Sequence, residues 1–267
     1  MNEYIVTCLT YKRKQPKIFE MLKSDAKINI WFGVRREELE SGYYDNWKSL
    51  SFADRIHFIP LDNVVDAGDT RLKILDWCYE QGYKYVVQFD DTVRKIKNTQ
   101  HDTWTTTACI KYALAQMKDE PLNPIGFEFV RRNTQIRKTR KAYIQAWIID
   151  VQRLHDAGIN FRTVKETGWD DFTFSWEVHN AGFYTITDPT LIRVAKSSYP
   201  WANEAGGTHV GEDMTVQAMI DKNNAKCAQC KAFLETNFGA NNVSILKLQP
   251  HNKSKLSFDY LHATWKE

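Results

Sequence analysis

Two adjacent carboxylates close an apolar run, Lys84-Tyr85-Val86-Val87-Gln88-Phe89-Asp90-Asp91-Thr92. Neighbouring acids repel each other unless something positive lies between them, and a divalent cation is the usual answer. The competing reading is that Asp90 and Asp91 cap a following helix or turn, where Asp is favoured. A second doublet, Asp170-Asp171, follows Trp169 in the stretch from Glu166 to Gly182. Helix capping accounts for one acid there, and two exceed what a cap needs. Asp69-Thr70-Arg71 opens a helix pattern just before the first doublet, and helix N-termini favour phosphate. Arg71 is therefore an anion-binding candidate or a surface arginine on a solvated helix face. Arg131, Arg132, Arg137, Lys138, Arg140 and Lys141 crowd one segment, which suits a phosphate backbone or a solvated loop. Cys227 and Cys230 form a lone CxxC with no second pair, which reads as a reduced structural pair.

These groups need elements to position them. Tyr4–Thr10, residues 28–33, residues 55–60 and residues 84–89 read as strands, and each is rich in β-branched or aromatic residues. Helix patterns lie between them, starting at Ile18 after Pro16, within residues 37–51, and over residues 69–81 with Gly82 as the stop. Strands alternating with helices predict βαβ units and a parallel sheet. Such sheets bind ligands outside the carboxyl ends of their strands, where Asp90 and Asp91 fall. Further on, residues 103–117 predict a helix, and residues 125–130, 143–151 and 183–187 predict strands. Residues 172–182 predict a helix with Phe172, Trp176 and Val178 on its apolar face, closed by Gly182. Two helices over residues 213–222 and 225–238, a strand over 243–248 and a basic tail from His251 complete the chain. The expected organisation is one domain, a core over residues 1–195 with a C-terminal elaboration over 196–267.

Composition narrows the class. With 43% hydrophobic and 26% charged residues among 267, the chain can bury a core, and it is neither disordered nor fibrous. Five scattered cysteines imply no disulfide framework. No secretory leader opens the sequence, and no apolar run nears the about eighteen residues that span a bilayer, so a cytoplasmic protein without membrane contact is expected. No obligate protein partner is evident. The first strand lacks a GxGxxG turn and the chain lacks a GxxxxGK[ST] loop, which argues against a dinucleotide site and a P-loop. The net charge of +3 is compatible with an anionic ligand.

The strand ending in Asp90-Asp91-Thr92 resembles the DXD-type motif of GT-A glycosyltransferases. Trp169-Asp170-Asp171, with the helix and the Asn180-Ala181-Gly182-Phe183 turn after it, resembles their second acidic motif, xED. Order and separation agree over residues 3–190. Within that fold the chain looks most like the compact phage TET-associated glycosyltransferases, thought to sugar hydroxymethylated pyrimidines in DNA. That narrower likeness rests on small size, general appearance and the basic segment. The resemblance implies an α/β, GT-A-like (Rossmann-like), mostly parallel central sheet flanked by helices, with a C-terminal helical elaboration. It implies a nucleotide-sugar donor, UDP-sugar by expectation, and Mn2+ or Mg2+ bridging Asp91 and the phosphates. A C-terminal His touches the metal or diphosphate in that family, which points to His209, then His251. Thr10 and Tyr11 fall on the donor nucleotide, Arg71 on the diphosphate and Asp90 on the donor sugar or ribose.

Asp171 becomes the general base of an inverting enzyme, with Asp170 as its alternate or orienting partner; in a retaining enzyme both acids would hold the acceptor. The acceptor implied is double-stranded DNA bearing 5-hydroxymethylcytosine. Arg131, Arg132, Arg137, Lys138 and Arg140 would lie on its backbone, with Tyr143, Trp147, Trp169 and Trp201 walling a flipped base. Two departures stand out. Thr92 fills the slot of the second DXD Asp, and Asp170 replaces the commoner Glu of xED. A polysaccharide, lipid-linked or protein acceptor, and a non-catalytic DNA-binding module, remain as alternatives.

Overall fold

Parallel pairing of short apolar strands builds the first half of the molecule. The computed structural model describes residues 3–120, 124–130, 138–139, 145–159, 174, 177–178, 181–195, 225, 228–229, 232–233, 235–236, 247–251 and 255–259. The chain begins β1 (Tyr4–Leu9), α1 (Phe19–Ser24), β2 (Ile30–Arg35), α2 (Arg36–Glu40), two 3-10 turns (Asp45–Ser49 and Ala53–Arg55), β3 (Ile56–Leu61), α3 (Ala67–Glu80) and β4 (Tyr85–Asp90). It continues β5 (Val93–Asn98), α4 (Thr106–Asp119), β6 (Gly126–Val130), β7 (Lys138–Thr139), β8 (Ala146–Asp150), α5 (Val151–Asp156) and β9 (Thr185–Ala195). A separate antiparallel pair, β10 (Lys247–His251) with β11 (Lys255–Asp259), ends the described chain.

The main sheet runs β3-β2-β1-β4-β8-β6-β9-β5, with β7 joined to β9. Strands β3, β2, β1 and β4 are mutually parallel. Beyond β4 the sheet is mixed, because β8 inserts antiparallel between β4 and β6. Pro60 costs little in β3, an edge strand with one side of its ladder unpaired. The chain leaves β1 for β2 on one side and returns through α3 to β4 on the other. The carboxyl end of β1 is thus a topological switch point, where open α/β sheets hold ligands.

Each sheet face carries its own core. Val6, Cys8, Phe32, Val87, Phe89 and Phe127 pack under α1 and α4 on one face. Ile5, Val86, Trp147 and Ile149 pack under α3 and α5 on the other. Alternation along the strands makes this division. Val178, expected on the apolar face of its helix, joins the second core together with Phe174, which was not expected there; Phe172 and Trp176 lie outside the described residues.

Three expectations need correcting. No helix follows Asp90-Asp91: a turn at residues 91–92 leads straight into β5 at Val93, so of the competing reading only the turn remains. The strand predicted over residues 143–151 hands over at Val151 to α5, capped by the Asp150 side chain, which accepts from Arg153 N at 3.0 Å. The predicted C-terminal strand is the first arm of the β10–β11 pair, and His251 lies within it. Residues 225, 228–229, 232–233 and 235–236 are helical as expected, and residues 213–222 lie outside the described residues.

Candidate functional site

The site grows from the last residues of β1 and β4, where Leu9 pairs with Asp90. Side chains alternate across a strand, so consecutive acids at its end turn to different faces. Asp90 faces α3, whose Arg71 Nη2 meets Asp90 Oδ1 at 2.7 Å. Asp91 faces the loop after β1: Arg13 Nε lies 2.7 Å from Asp91 Oδ2, and Thr10 Oγ1 donates to the same oxygen at 3.2 Å. Each acid therefore has its own guanidinium, supplied from its own side of the sheet.

Local sequence explains both arginines. Helix α3 starts at a reciprocal cap, in which Asp66 Oδ1 accepts from Asp69 N at 2.8 Å and Asp69 Oδ2 accepts from Val65 N at 3.0 Å. That start puts Arg71 in the second turn, above β4. Gln88, two residues before Asp90 on the same face, bridges helix and strand: its Nε2 donates to Arg71 O at 3.4 Å, and its Oε1 accepts from Trp147 Nε1 at 3.1 Å.

Arg13 rides on Tyr11-Lys12-Arg13-Lys14, a loop held from behind by aromatic residues. Tyr43 Oη donates to Lys12 O at 2.8 Å, Tyr44 Oη accepts from Lys12 N at 3.2 Å, and Trp47 Nε1 donates to Lys14 O at 2.9 Å. Lys12 takes a left-handed φ of 48°, a conformation that costs a non-glycine residue energy and that these three bonds stabilise. Tyr44 in turn donates to buried Glu38. Burial pushes the Glu38 carboxyl up, and that hydrogen bond pulls it back. Arg35, at the end of β2, lies 4.5 Å over the Tyr11 ring, and Lys12 lies 5.4 Å from it.

Electrostatics set Asp91 apart. Its carboxyl is pushed up to about 6, chiefly by burial; Arg13 pulls it down, Asp90 pushes it further up, and the Thr10 hydrogen bond resists. The Arg13 and Asp91 side chains keep only 15% and 12% of their exposure. A buried pair this close is costly to break from either side.

The site residues expected from sequence divide three ways. Thr10, Arg71, Asp90 and Asp91 meet at the carboxyl ends of β1 and β4, and Tyr11 follows Thr10 in the loop after β1. Thr10 joins them through Asp91 and Arg71 through Asp90. Asp170, Asp171, His209, Arg131, Arg132, Arg137, Arg140, Trp169, Tyr143 and Trp201 lie outside the described residues. Lys138 is placed in β7, paired with Ile186 of β9. Trp147 is a correction: it keeps 5% exposure inside the sheet core and packs edge-on against Phe174 at 5.0 Å, so it walls no base pocket. Its large apolar face is better buried than exposed, and Gln88 satisfies its one polar group. Sequence reasoning missed Arg13, Gln88 and Arg35. Tyr11 is followed by Lys12-Arg13-Lys14, and nothing in that spacing singles out the arginine that meets Asp91.

A divalent cation needs several oxygen ligands converging on one point. The two acids diverge to separate arginines, and Thr92 supplies only a neutral hydroxyl, whose buried Oγ1 has no hydrogen-bond partner among the described residues. No group of three or more His, Cys, Asp or Glu that could hold a metal occurs among the described residues. This part of the expected ligand set does not fit a metal ion. A cavity of about 290 Å³ lies elsewhere, against Tyr4, Asn29, Trp31, His57 and Tyr83. It opens at the amino ends of β1 and β2, away from the acids. Among the described residues, no helix is long and apolar enough to cross a membrane.

No family model matches the chain, and no curated protein matches it. Solved structures similar to it include a protein described as a nucleotide-diphospho-sugar transferase from Desulfovibrio desulfuricans G20, with 11% identity, 86% of this chain and 98% of that one covered, and a TM-score of 0.48. A cytidylyltransferase from Leptospira borgpetersenii has 8% identity, 93% and 99% coverage and a TM-score of 0.45. An apo UDP-glucose pyrophosphorylase has 9% identity, 71% and 92% coverage and a TM-score of 0.43. At TM-scores below 0.5, none of these likenesses bears on activity. The α/β architecture itself stands on the strand order and helix layers described above.

Proposed function

We propose that this chain is a transferase that binds a nucleotide-sugar, expected to be a UDP-sugar, in the crevice at the carboxyl ends of β1 and β4. The observation that carries the reading is the Arg13–Asp91 and Arg71–Asp90 cluster at the switch point of the sheet. It offers fixed positive charge for a diphosphate beside acids able to take sugar or ribose hydroxyls. Tyr11, under Arg35, offers a face for the base. The crevice is preorganised, because its loop is anchored by Tyr43, Tyr44 and Trp47 before any ligand arrives.

Transfer would break the bond between the sugar's anomeric carbon and the phosphate oxygen. The bonding electrons leave with the nucleoside diphosphate, and an acceptor hydroxyl forms the new carbon–oxygen bond. Its proton passes to a base, the role proposed for Asp171 with Asp170 beside it. His209 is proposed near the diphosphate. For the acceptor we propose a hydroxymethylated pyrimidine in DNA, with Arg131, Arg132, Arg137, Lys138 and Arg140 on its backbone and Trp169 at the base. The placement of Gln145 supports this choice: its carbonyl accepts from Asp90 N at 2.8 Å, so the chain that follows the basic segment rejoins the sheet at the acids.

The test is transfer of labelled sugar from UDP-glucose to DNA containing 5-hydroxymethylcytosine, with unmodified DNA and a glycan as comparisons. Incorporation only into the modified DNA is expected. Turnover on the glycan alone would move the acceptor elsewhere, and neither binding nor turnover with any nucleotide-sugar would overturn the transferase reading.

A further inference from the structure

We infer that Arg13 and Arg71 take the place of a divalent cation in this site, so that a donor diphosphate is bound and its departing charge neutralised by the protein's own guanidinium groups. The inference rests on the nucleotide-sugar reading above, and it concerns how that site handles charge.

The argument starts from a count of charges. Two unpaired acids at a strand end would make a site that repels a diphosphate and needs a metal between them. Here each acid already faces a guanidinium at 2.7 Å, so the four groups sum to zero. Lys12 and Arg35 flank the same loop, with Glu38 and, for Arg35, Glu37 at 4.0 Å offsetting part of their charge. Glu38, behind the loop, is buried and bonded to Tyr44. Asp90 and Asp91 are therefore neutralised without a bound ion, so they do not by themselves repel a dianionic or trianionic ligand.

Geometry makes the same point. The acids diverge across the sheet, and the residue that follows them is Thr92, a neutral hydroxyl. A guanidinium presents five N–H donors in a planar fork, so it can hold a carboxylate on one edge and a phosphate on another. In that arrangement Asp90 and Asp91 orient the arginines rather than bind a metal. Arg13 is well suited to this, because the backbone on both sides of it is fixed: Lys12 by Tyr43 and Tyr44, Lys14 by Trp47. Arg71 is fixed by its helix and by Gln88. When the sugar–phosphate bond breaks, the extra negative charge appears on the leaving diphosphate. Preplaced cations stabilise it there without reorganising.

Calorimetric titration of the whole protein with UDP and with inorganic pyrophosphate, in EDTA and again with Mn2+, tests this. Binding in EDTA with an affinity that Mn2+ changes by no more than about threefold is expected, since a cation with no site adds little. Binding seen only with Mn2+ would overturn the inference and leave the nucleotide-sugar reading standing. No binding under either condition would overturn that reading too. Arg13→Gln and Arg71→Gln should each weaken pyrophosphate in EDTA by about tenfold to a hundredfold, the usual worth of a hydrogen bond to a charged group. Arg13→Lys should lose less than Arg13→Gln. Mn2+ should bind the Arg13→Gln variant, whose Asp91 is bare, and not the parent. Unchanged affinity in both Gln variants would sink the proposal. If Arg13→Gln fails to fold, the parent titration and Arg71→Gln decide.

Discussion

Asp91 is an acid under tension between burial and its partner. Burial holds its carboxyl at about 6, above the ordinary 3.8 of an exposed aspartate. The folded chain therefore binds a proton that the unfolded chain releases between those values. Stability from this group falls as pH rises from about 4 to about 6 and is level above that. Asp91→Asn has no such group. Its stability relative to the parent should climb across the same window, by up to about 3 kcal/mol, in urea melts taken at several pH values. A difference that stays flat with pH would show that Asp91 is not perturbed. At this scale the sequence was half legible. Asp90, Asp91, Thr10, Tyr11 and Arg71 could be picked out, because acids at a strand end and a helix start have recognisable surroundings. Arg13 could not, because its pairing depends on how the β1 loop folds back over β4, and no spacing rule encodes that.

Elements decide whether those side chains arrive. Helix α3 must begin at Asp66 and lie close on β2 for Arg71 to reach Asp90. Asp66→Ala removes the side chain that accepts from Asp69 N, and should cost about 1 kcal/mol in denaturant unfolding. A variant as stable as the parent would show that the cap does not fix the helix start. The close approach depends on Gly33. A Cβ there would sit 2.3 Å from Ile74 Cδ1, and Ile74 is fully buried in α3. Gly33→Ala should destabilise by about 1–3 kcal/mol, the range for overpacking, and should weaken diphosphate binding by lifting the helix that carries Arg71. Normal binding with lowered stability would separate packing from positioning. Helices α3 and α4 were readable because fourteen residues each give a full apolar stripe. Strand β5 was missed because Arg94, Lys95 and Lys97 break its apolar alternation; an edge strand tolerates such residues on its outer face. Helix α5 was missed because six residues are too few to show a period.

The whole molecule joins a parallel half, β3-β2-β1-β4, to a mixed half built around β8, β6 and β9. The first half was legible because each βαβ unit is local in sequence. The second was not, since β8 inserts beside β4 over a separation of some sixty residues, Gln88 against Trp147. That insertion has a consequence for descent. Strands β6 and β8 are locked by Gly126 against Ile149, Phe127 against Ile148 and Glu128 against Trp147. The connection between them, residues 131–145, meets the sheet again beside Asp90. That connection is itself tied to the sheet, at Lys138 and Thr139 of β7 against Ile186 and Thr185 of β9 and at Gln145 beside Asp90, so a change in its length has to keep those anchors. Sequence changes between those anchors leave the partners of β6 and β8 and both arginine–aspartate pairs intact, so a new specificity could be written there without the molecule having to relearn how to fold.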